Sequence, residues 1–282
     1  MQPMPDWNAL WTELVRIGEK RRAIKHQHKK EDRWHQQAEK FDARVTERWQ
    51  NKDSSRAFVV ETLQQFPNSR VLDIGAGSGK WTTLMAPYAA HVTALDASDS
   101  MLEKCAALVK QNGLDNVTCI KGYWPQVDVG EQDISICAHS MYSCEDLKGF
   151  IAAMQKVTRK RCILLLRAPL MDGIMAEAAR LLWGHPYDSA NFQIAFQIIL
   201  EMGIFPNVIM EEGGQWKGWC SGSLQGALQE MKTRMGVYDD SQWDDAFLGL
   251  IHKYLKQEGD EWVWPPAMRT ALVYWDIRQE NQ

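Results

Sequence analysis

Apolar positions along this chain follow two rhythms, which change near residue 168. From about residue 67, short apolar runs alternate with stretches of helical spacing; the runs mark buried strands and the spaced stretches amphipathic helices. The runs predict strands at 70–75, 91–96, 117–121, 133–138 and 161–167, with helices at 79–88, 99–112 and 145–158 between them. Asn112-Gly113 supplies a stop for the helix at 99–112. The run at 161–167 is almost continuously apolar, as expected of a strand covered on both faces. Such alternation predicts an α/β fold built on a doubly wound sheet.

The flanks read differently. Residues 4–50 hold no Gly after Gly18 and no Pro after Pro5, and read as almost entirely helical, with a further helix at 54–66. Beyond Ala168-Pro169 the pattern loosens. A helix at 172–183 leads to Gly184-His185-Pro186-Tyr187, a helix at 191–202 is stopped by Gly203, and 205–211 reads as a sixth strand. Helices are predicted at 224–235 and 241–257, and a last strand at 269–278. Internal repeats and low-complexity tracts are absent from the sequence.

Chemistry enters at Val71-Leu72-Asp73-Ile74-Gly75-Ala76-Gly77-Ser78-Gly79-Lys80, where an apolar strand breaks into Gly-x-Gly-x-Gly. Glycines at a strand-to-helix turn allow positive φ and close approach of a ligand to the main chain. In an open α/β sheet that turn lies at the carboxyl end of a strand, where nucleotide-like ligands bind. A phosphate-cradling P-loop needs Gly, four residues, then Gly-Lys-Ser/Thr; Ile74 and Trp81 break it at both ends. The dinucleotide fingerprint G-x-G-x-x-G finds Lys80 where its third Gly belongs. Asp96 closes the second strand, 21 residues after Gly75, at the distance from which a carboxylate accepts both ribose hydroxyls. An acid there also suits NAD, so a nicotinamide-dependent oxidoreductase stays open as an alternative.

The compact Gly-x-Gly-x-Gly with Asp73 two residues ahead resembles motif I of the class I S-adenosylmethionine-dependent methyltransferases. Asp96-Ala97-Ser98 followed by Asp99-Ser100-Met101-Leu102 resembles the same family's acid, Ser and Met-Leu pattern. The resemblance is firm over 67–168 and is to the small-molecule members. It implies a Rossmann-like seven-stranded sheet whose last strand inserts antiparallel between strands five and six. It also implies S-adenosylmethionine as cofactor, with S-adenosylhomocysteine as product. The chain then divides into an N-terminal helical lid (1–66), a cofactor-binding core (67–168), and a C-terminal helical cap with the last strands (169–282).

Site residues follow from the same resemblance. The cofactor would lie against Asp73 (at its amino group), Gly75, Ala76, Gly77, Gly79, Asp96 and Ala97, with Ala138 at the end of strand four. The loop after strand three usually carries an acid for the adenine amino group; here Gly122-Tyr123-Trp124-Pro125 offers Tyr123 and Trp124 instead. The loop after strand four, Ala138-His139-Ser140-Met141-Tyr142, faces the methyl group in this fold. It lacks the Asn/Asp-Pro-Pro-aromatic signature of amino methylation on nucleobases. His139 is the candidate general base, its unperturbed pKa suiting proton removal near neutrality, and Tyr142 is a second catalytic candidate. The other reading of His139 is a residue that only hydrogen-bonds cofactor or loop. In the lid, Trp34 shares a helix face with Ala38 and Phe41, a spacing that resembles the family's N-terminal helix across the cofactor mouth. Trp34, His185, Tyr187, Trp216 and Trp219 are the candidate substrate contacts.

Composition bounds the partners. The chain has 282 residues, 45% hydrophobic and 24% charged, with net charge −4, so nothing in its overall charge calls for a polyanion. Residues 16–33 nevertheless hold eight basic side chains against three acids; a basic helix can follow phosphates, which keeps a tRNA or rRNA methyltransferase as an alternative, though a solvated face is the commoner meaning. No apolar run approaches the ~18 residues a membrane span needs, and the amino terminus lacks a signal-peptide pattern. Six cysteines without a C-x-x-C pair read as reduced core residues of a cytoplasmic protein. No His or Cys spacing suggests a metal site. Seven of the thirteen tryptophans follow residue 180. Packing accounts for most of them, while Trp183, Trp216 and Trp219, in segments broken by Gly and Pro, divide evenly between core and pocket wall. The oligomeric state stays open, a homodimer included.

Overall fold

A computed structural model of the chain describes residues 5–25, 45–47, 49–51, 53–211, 218–266 and 268–278. They form two compact units, each discontinuous in sequence. The sheet unit comprises the described residues within 28–166, 196–211 and 270–282. The Trp-rich unit comprises those within 1–27, 167–195 and 212–269.

The sheet unit is built on seven strands: β1 (Arg70–Ile74), β2 (His91–Asp96), β3 (Val117–Lys121), β4 (Gln132–Ala138), β5 (Thr158–Pro169), β6 (Asn207–Met210) and β10 (Met268–Asp276). Their order is β3-β2-β1-β4-β5-β10-β6. Strand β1 runs parallel to β2 and to β4, pairing Asp73 with Ala94 on one side and Ile136 on the other. Strand β10 lies between β5 and β6 and is antiparallel to β6, the insertion that the family resemblance implies. Val71, Leu72 and Ile74 of β1, Val92 of β2, Ile134 and Ile136 of β4 and Ile163 and Leu165 of β5 are all buried. Such both-faced burial accounts for strands that read as apolar runs rather than alternating ones. The order reverses between β1 and β4, and the crevice at that reversal is where open α/β sheets place ligands.

Helices α2 (Ser54–Gln65), α3 (Lys80–Met85), α4 (Asp99–Gln111) and α5 (Leu147–Val157) connect the strands or precede them. The predicted helix 79–88 is two pieces, because Pro87 lacks the N–H an α-helix needs and the chain tightens to a 3₁₀ turn over Ala86–Tyr88. Helix α4 is capped by Ser98, whose hydroxyl accepts the Met101 N–H, and the chain beyond it turns through Gly113 at φ +66. Two carboxyls hold the start of α2. Asp53 accepts the Ser55 N–H at 2.9 Å, and buried Glu211 accepts that N–H at 2.6 Å and the hydroxyls of Ser54 and Ser55 at 2.5 and 2.8 Å. Burial, then the neighbouring Glu211, pushes the Asp53 pKa up. The apolar run of β5 hides one exception: Arg161 is buried, paired with Asp276 at 2.7 Å, and bordered by the rings of Phe58, Phe66 and Tyr274.

The Trp-rich unit holds α1 (Trp7–Lys25), α6 (Ile174–Trp183), α8 (Leu224–Met235) and α9 (Asp244–Tyr254). Helix α7 (Phe192–Glu201) begins among its residues. A second sheet, absent from the sequence-based expectation, has three antiparallel strands ordered β7 (Cys220–Ser221), β9 (Glu261–Val263) and β8 (Lys256–Glu258). The predicted helix 241–257 is therefore a 3₁₀ turn at Ser241–Trp243, then α9, then β8. The core of this unit is Ile174, Met175, Leu228, Met231, Phe247, Ile251, Trp262 and Trp264 with their neighbours. Gly218 is required there: a Cβ on it would stand 2.0 Å from the Trp264 carbonyl oxygen. Among the described residues no helix is long and apolar enough to cross a membrane.

Candidate functional site

The glycine loop follows β1 at the order reversal. Leu95 of β2 accepts the N–H groups of both Gly75 (2.7 Å) and Ala76 (3.0 Å), so β2 fixes the mouth of the turn. All three glycines have positive φ, +73 at Gly75, +55 at Gly77 and +84 at Gly79, where a β-carbon is strained. What surrounds them differs. A Cβ on Gly75 would stand 2.3 Å from the Ser140 side chain, and one on Gly79 2.7 Å from Cys105 Sγ, whereas one on Gly77 would meet nothing within 4 Å. Gly75 and Gly79 are thus demanded by the protein's own packing. Gly77 presents bare main chain to open space.

The two acids of the sequence motif do different work. Asp96 closes β2 and folds back: its carboxylate accepts the Gly77 N–H at 2.8 Å and the Ser98 N–H at 2.9 Å. A carboxylate offers roughly four acceptor positions, and two of them here hold the loop. Ala97 follows it, half-buried. Asp73 is 1% exposed and accepts the Thr82 hydroxyl at 2.6 Å, tying β1 to α3 behind the loop. Burial raises the Asp73 pKa to about 7, opposed by the Thr82 hydrogen bond and reinforced by the charge of Asp96. At neutral pH this carboxyl is therefore divided between its two protonation states.

The loop after β4 supplies the opposite wall. Ala138 ends the strand, opposite Leu165 of β5, and His139 follows at φ +58. Its N–H donates to the Leu165 carbonyl at 3.0 Å, which anchors the turn to β5. A non-glycine residue in that region costs about 1–3 kcal/mol, and such residues cluster at functional sites. Ser140 next to it donates to the Ile74 carbonyl at 2.8 Å and fills the space a Gly75 side chain would need. Sequence reasoning passed over Ser140; nothing in a single serine shows which loop it will clamp. Tyr142 lies half-buried in the 3₁₀ turn Met141–Ser143.

On the far side of Asp96, Gly122 donates to the Asp96 carbonyl at 2.9 Å. Tyr123 is 67% exposed, and Trp124 is turned toward α5, its indole N–H donating to the Phe150 carbonyl at 3.2 Å with the two rings edge-on. The loops carrying Asp73, Gly75, Ala76, Gly77, Gly79, Asp96, Ala97, Tyr123, Trp124, Ala138, His139 and Tyr142 all lie in the sheet unit.

The substrate candidates fall elsewhere. His185 packs between Trp183 and Tyr187 with ring centroids 5.8 and 5.7 Å away, and Tyr187 meets Trp7 edge-on at 6.0 Å. Burial lowers the His185 pKa and raises that of Tyr187, so both are neutral near pH 7. Trp219 stacks on Trp264 at 5.0 Å with Arg234 over its ring at 4.2 Å. These residues belong to the Trp-rich unit. Trp34 and Trp216 lie outside the described residues, as does the basic segment beyond Lys25. Among the described residues no group of three or more His, Cys, Asp or Glu is placed to hold a metal ion.

Residues 71–161, from β1 into β5, match the profile of the methyltransferase domain family. Residues 71–161 thus carry the signature of a methyltransferase domain. A protein-L-isoaspartate O-methyltransferase of Roseiflexus castenholzii is 39% identical over 62 residues, 22% of this chain and 28% of that one. The methyltransferase YcgJ of Bacillus subtilis is 24% identical over 104 residues, 36% of this chain and 41% of its own. Its crystal structure superposes with a TM-score of 0.51 at 15% identity, covering 80% of this chain and 99% of that one, a likeness of fold. An uncharacterised protein of Haemophilus influenzae is 24% identical over 227 residues, 78% of this chain and 80% of that one. The chain thus spans only 28% and 41% of the length of the isoaspartate methyltransferase and of YcgJ.

Two features of the glycine loop would suit a cofactor there. Gly77 leaves open space where any other residue would put a side chain, and the Asp96 carboxylate is bonded to that residue's N–H.

Proposed function

We propose that this chain transfers the methyl group of S-adenosylmethionine to a small-molecule acceptor by in-line displacement. The observation that carries the reading is the open main chain at Gly77 beside the Asp96 carboxylate, at the sheet's order reversal. Bound S-adenosylmethionine supplies an electrophilic methyl carbon on a sulfonium. The chain's residues bind, align and manage a proton. Asp96 accepts the ribose hydroxyls, Gly75-Ala76-Gly77 lie against the methionine tail with Ala97 beside the ribose, and Gly79 starts α3. Asp73, enclosed behind the loop, acts on the cofactor's positive charge across it rather than by contact. Tyr123, exposed at the rim, and Trp124, held against Phe150, border the adenine, while Ala138 lines the floor. His139 takes the proton that an O–H or N–H acceptor loses, and Tyr142 stands next to it in the same loop. Trp34, His185, Tyr187, Trp216 and Trp219 are the acceptor-side residues of this proposal.

A small acceptor is supported by the net charge of −4 and by the pattern of the loop after β4, which lacks the nucleobase amino-methylation signature. The direct test supplies tritiated-methyl S-adenosylmethionine with two separate fractions of a cell extract, one of total RNA and one of molecules below about 1 kDa. Label in the small-molecule fraction is the expected result. Label confined to RNA would replace the reading with RNA methylation through the basic helix.

A further inference from the structure

Strand β4 lies between β1 and β5, and the loop that follows it is tied to both neighbours within two residues. On the β5 side, the His139 N–H donates to the Leu165 carbonyl at 3.0 Å. On the β1 side, the Ser140 hydroxyl donates to the Ile74 carbonyl at 2.8 Å, at the peptide that enters the glycine loop. His139 stands at these anchors with φ +58, and Gly75, the residue after Ile74, has φ +73. The Ser140 side chain occupies the space beside Gly75, 2.3 Å from where a Cβ would be. Two left-handed turns on separate loops thus meet through one serine. A residue with a β-carbon keeps such a conformation only where its surroundings over-determine it.

Proton counting gives that serine a direction. A serine hydroxyl has one proton to donate, and the Ile74 carbonyl takes it. Cys137 Sγ lies 2.9 Å from the same hydroxyl oxygen, so in that contact the thiol is the donor. Cys137 is fully buried. Burial pushes its thiol up to about 12, with hydrogen bonds from Ser140 opposing, so the proton is in place at neutral pH. A directed chain results, from the Cys137 thiol through the Ser140 hydroxyl to the Ile74 carbonyl, crossing from β4 to β1. A hydroxyl engaged as donor and acceptor at once is fixed in orientation, and each bond polarises the other.

We infer that Ser140 is a positioning residue that couples the two loops, so that the turn at Gly75 sets how firmly the β4 loop holds His139. The inference rests on the reading above, in which the glycine loop takes S-adenosylmethionine and His139 acts beside it. A ligand settling along Gly75–Gly77 stiffens the peptide between Ile74 and Gly75, and the Ser140 hydroxyl passes that order to His139. Order gained in one segment lowers the cost of ordering the segment bonded to it. Cys137 contributes from behind by aiming the hydroxyl.

The test is amide hydrogen exchange on the full-length chain, read residue by residue by NMR with and without S-adenosylmethionine. In the natural chain, saturating S-adenosylmethionine should slow exchange of the His139 N–H at least about fivefold. In Ser140→Ala that protection should vanish. Without ligand, the His139 and Gly75 amides of this variant should exchange about tenfold faster relative to Val92 and Ala94 of β2. A serine that merely stabilised the fold would speed all of them alike. Exchange at His139 should rise severalfold in Cys137→Ala and less in Cys137→Ser, which keeps a donor. In the tritiated-methyl assay, Ser140→Ala should lower the rate at saturating S-adenosylmethionine about tenfold and leave its half-saturating concentration within about twofold. Protection of His139 that survives in Ser140→Ala, none in a natural chain that binds the cofactor, or a uniform rise through β2 would overturn the inference. Should the natural chain not bind S-adenosylmethionine, the cofactor reading fails by itself, and the unliganded exchange rates still decide whether Ser140 couples the loops. Should Ser140→Ala unfold, the Cys137 pair decides.

Discussion

The glycine loop of the sheet unit and the tryptophan cluster of the other unit both rest on close contacts that only one residue type permits, yet they differ in what the contacts serve. Around Gly75 and Gly79, Ser140 and Cys105 stand where a Cβ would go, whereas a Cβ on Gly77 would meet nothing within 4 Å. The Gly77 main chain is open there, beside the Asp96 carboxylate. Around Gly218, main chain closes the space: a Cβ there would stand 2.0 Å from the Trp264 carbonyl oxygen. The first arrangement leaves one glycine open, and the second closes a glycine against main chain.

Five substitutions sharpen or break that comparison. The largest effect belongs to the β4 loop. His139→Ala should lower turnover by about 10²–10⁴ with cofactor affinity nearly intact, as expected for loss of a general base. Loss of affinity with turnover preserved would make His139 a loop-holding residue instead.

Next comes the tryptophan cluster. Trp264→Ala empties a fully buried site and should cost about 3–5 kcal/mol in urea unfolding. A cost under about 1 kcal/mol would mean the cluster is not the core of its unit.

The third acts through pH. The folded-state pKa of Asp73 lies near 7, raised from an ordinary 3.8. The folded state therefore binds the proton more tightly than the unfolded state, and this group makes the protein less stable as pH climbs from about 4 to 7. Asp73→Asn, which still accepts the Thr82 hydroxyl, should remove that slope and gain of order 2–4 kcal/mol at pH 8. The same titration predicts that affinity for the cationic cofactor rises with pH through about 7 in the natural chain and stays flat in the variant. An unchanged stability slope would show that Asp73 is ionised well below neutrality.

The smallest effect separates the two kinds of glycine. Gly75→Ala must displace Ser140 and should cost about 2–3 kcal/mol, whereas Gly77→Ala meets only the φ penalty of about 1–2 kcal/mol. The informative reading is cofactor affinity, which Gly77→Ala should reduce more than its stability loss accounts for. Equal behaviour at both positions would erase the distinction between packed and open glycines.

Much of the sheet unit was legible in the sequence because its strands are buried on both faces. A half-exposed element alternates or spaces its apolar residues, so a continuous apolar run as short as 161–167 points to a covered strand. The glycine loop stood out in the sequence because its spacing breaks the P-loop pattern at both ends, while the acid at Asp96 left a nicotinamide open. Arg161 was invisible, since its partners Asp276, Thr62 and Gln65 come from elements distant in sequence. So was β8: Lys256, Gln257 and Glu258 are all exposed, leaving no apolar rhythm, and the helical spacing of 244–254 ran on into them. The cysteines divide in the same way. Cys105, Cys137 and Cys162 are buried core thiols, whereas Cys220 is exposed, on a two-residue strand that no pattern predicts. Ser140 and the left-handed turn at His139 become meaningful only once the loops after β1 and β4 are side by side.

The most direct test of the account is a calorimetric titration of S-adenosylmethionine into the natural chain and into Asp96→Ala. The account predicts saturable binding at one site in the natural chain, and weakening by about 1–3 kcal/mol in the variant as hydroxyls and the Gly77 N–H lose their acceptor. Undiminished binding in Asp96→Ala, or no binding in the natural chain alongside measurable affinity for NADH, would contradict it.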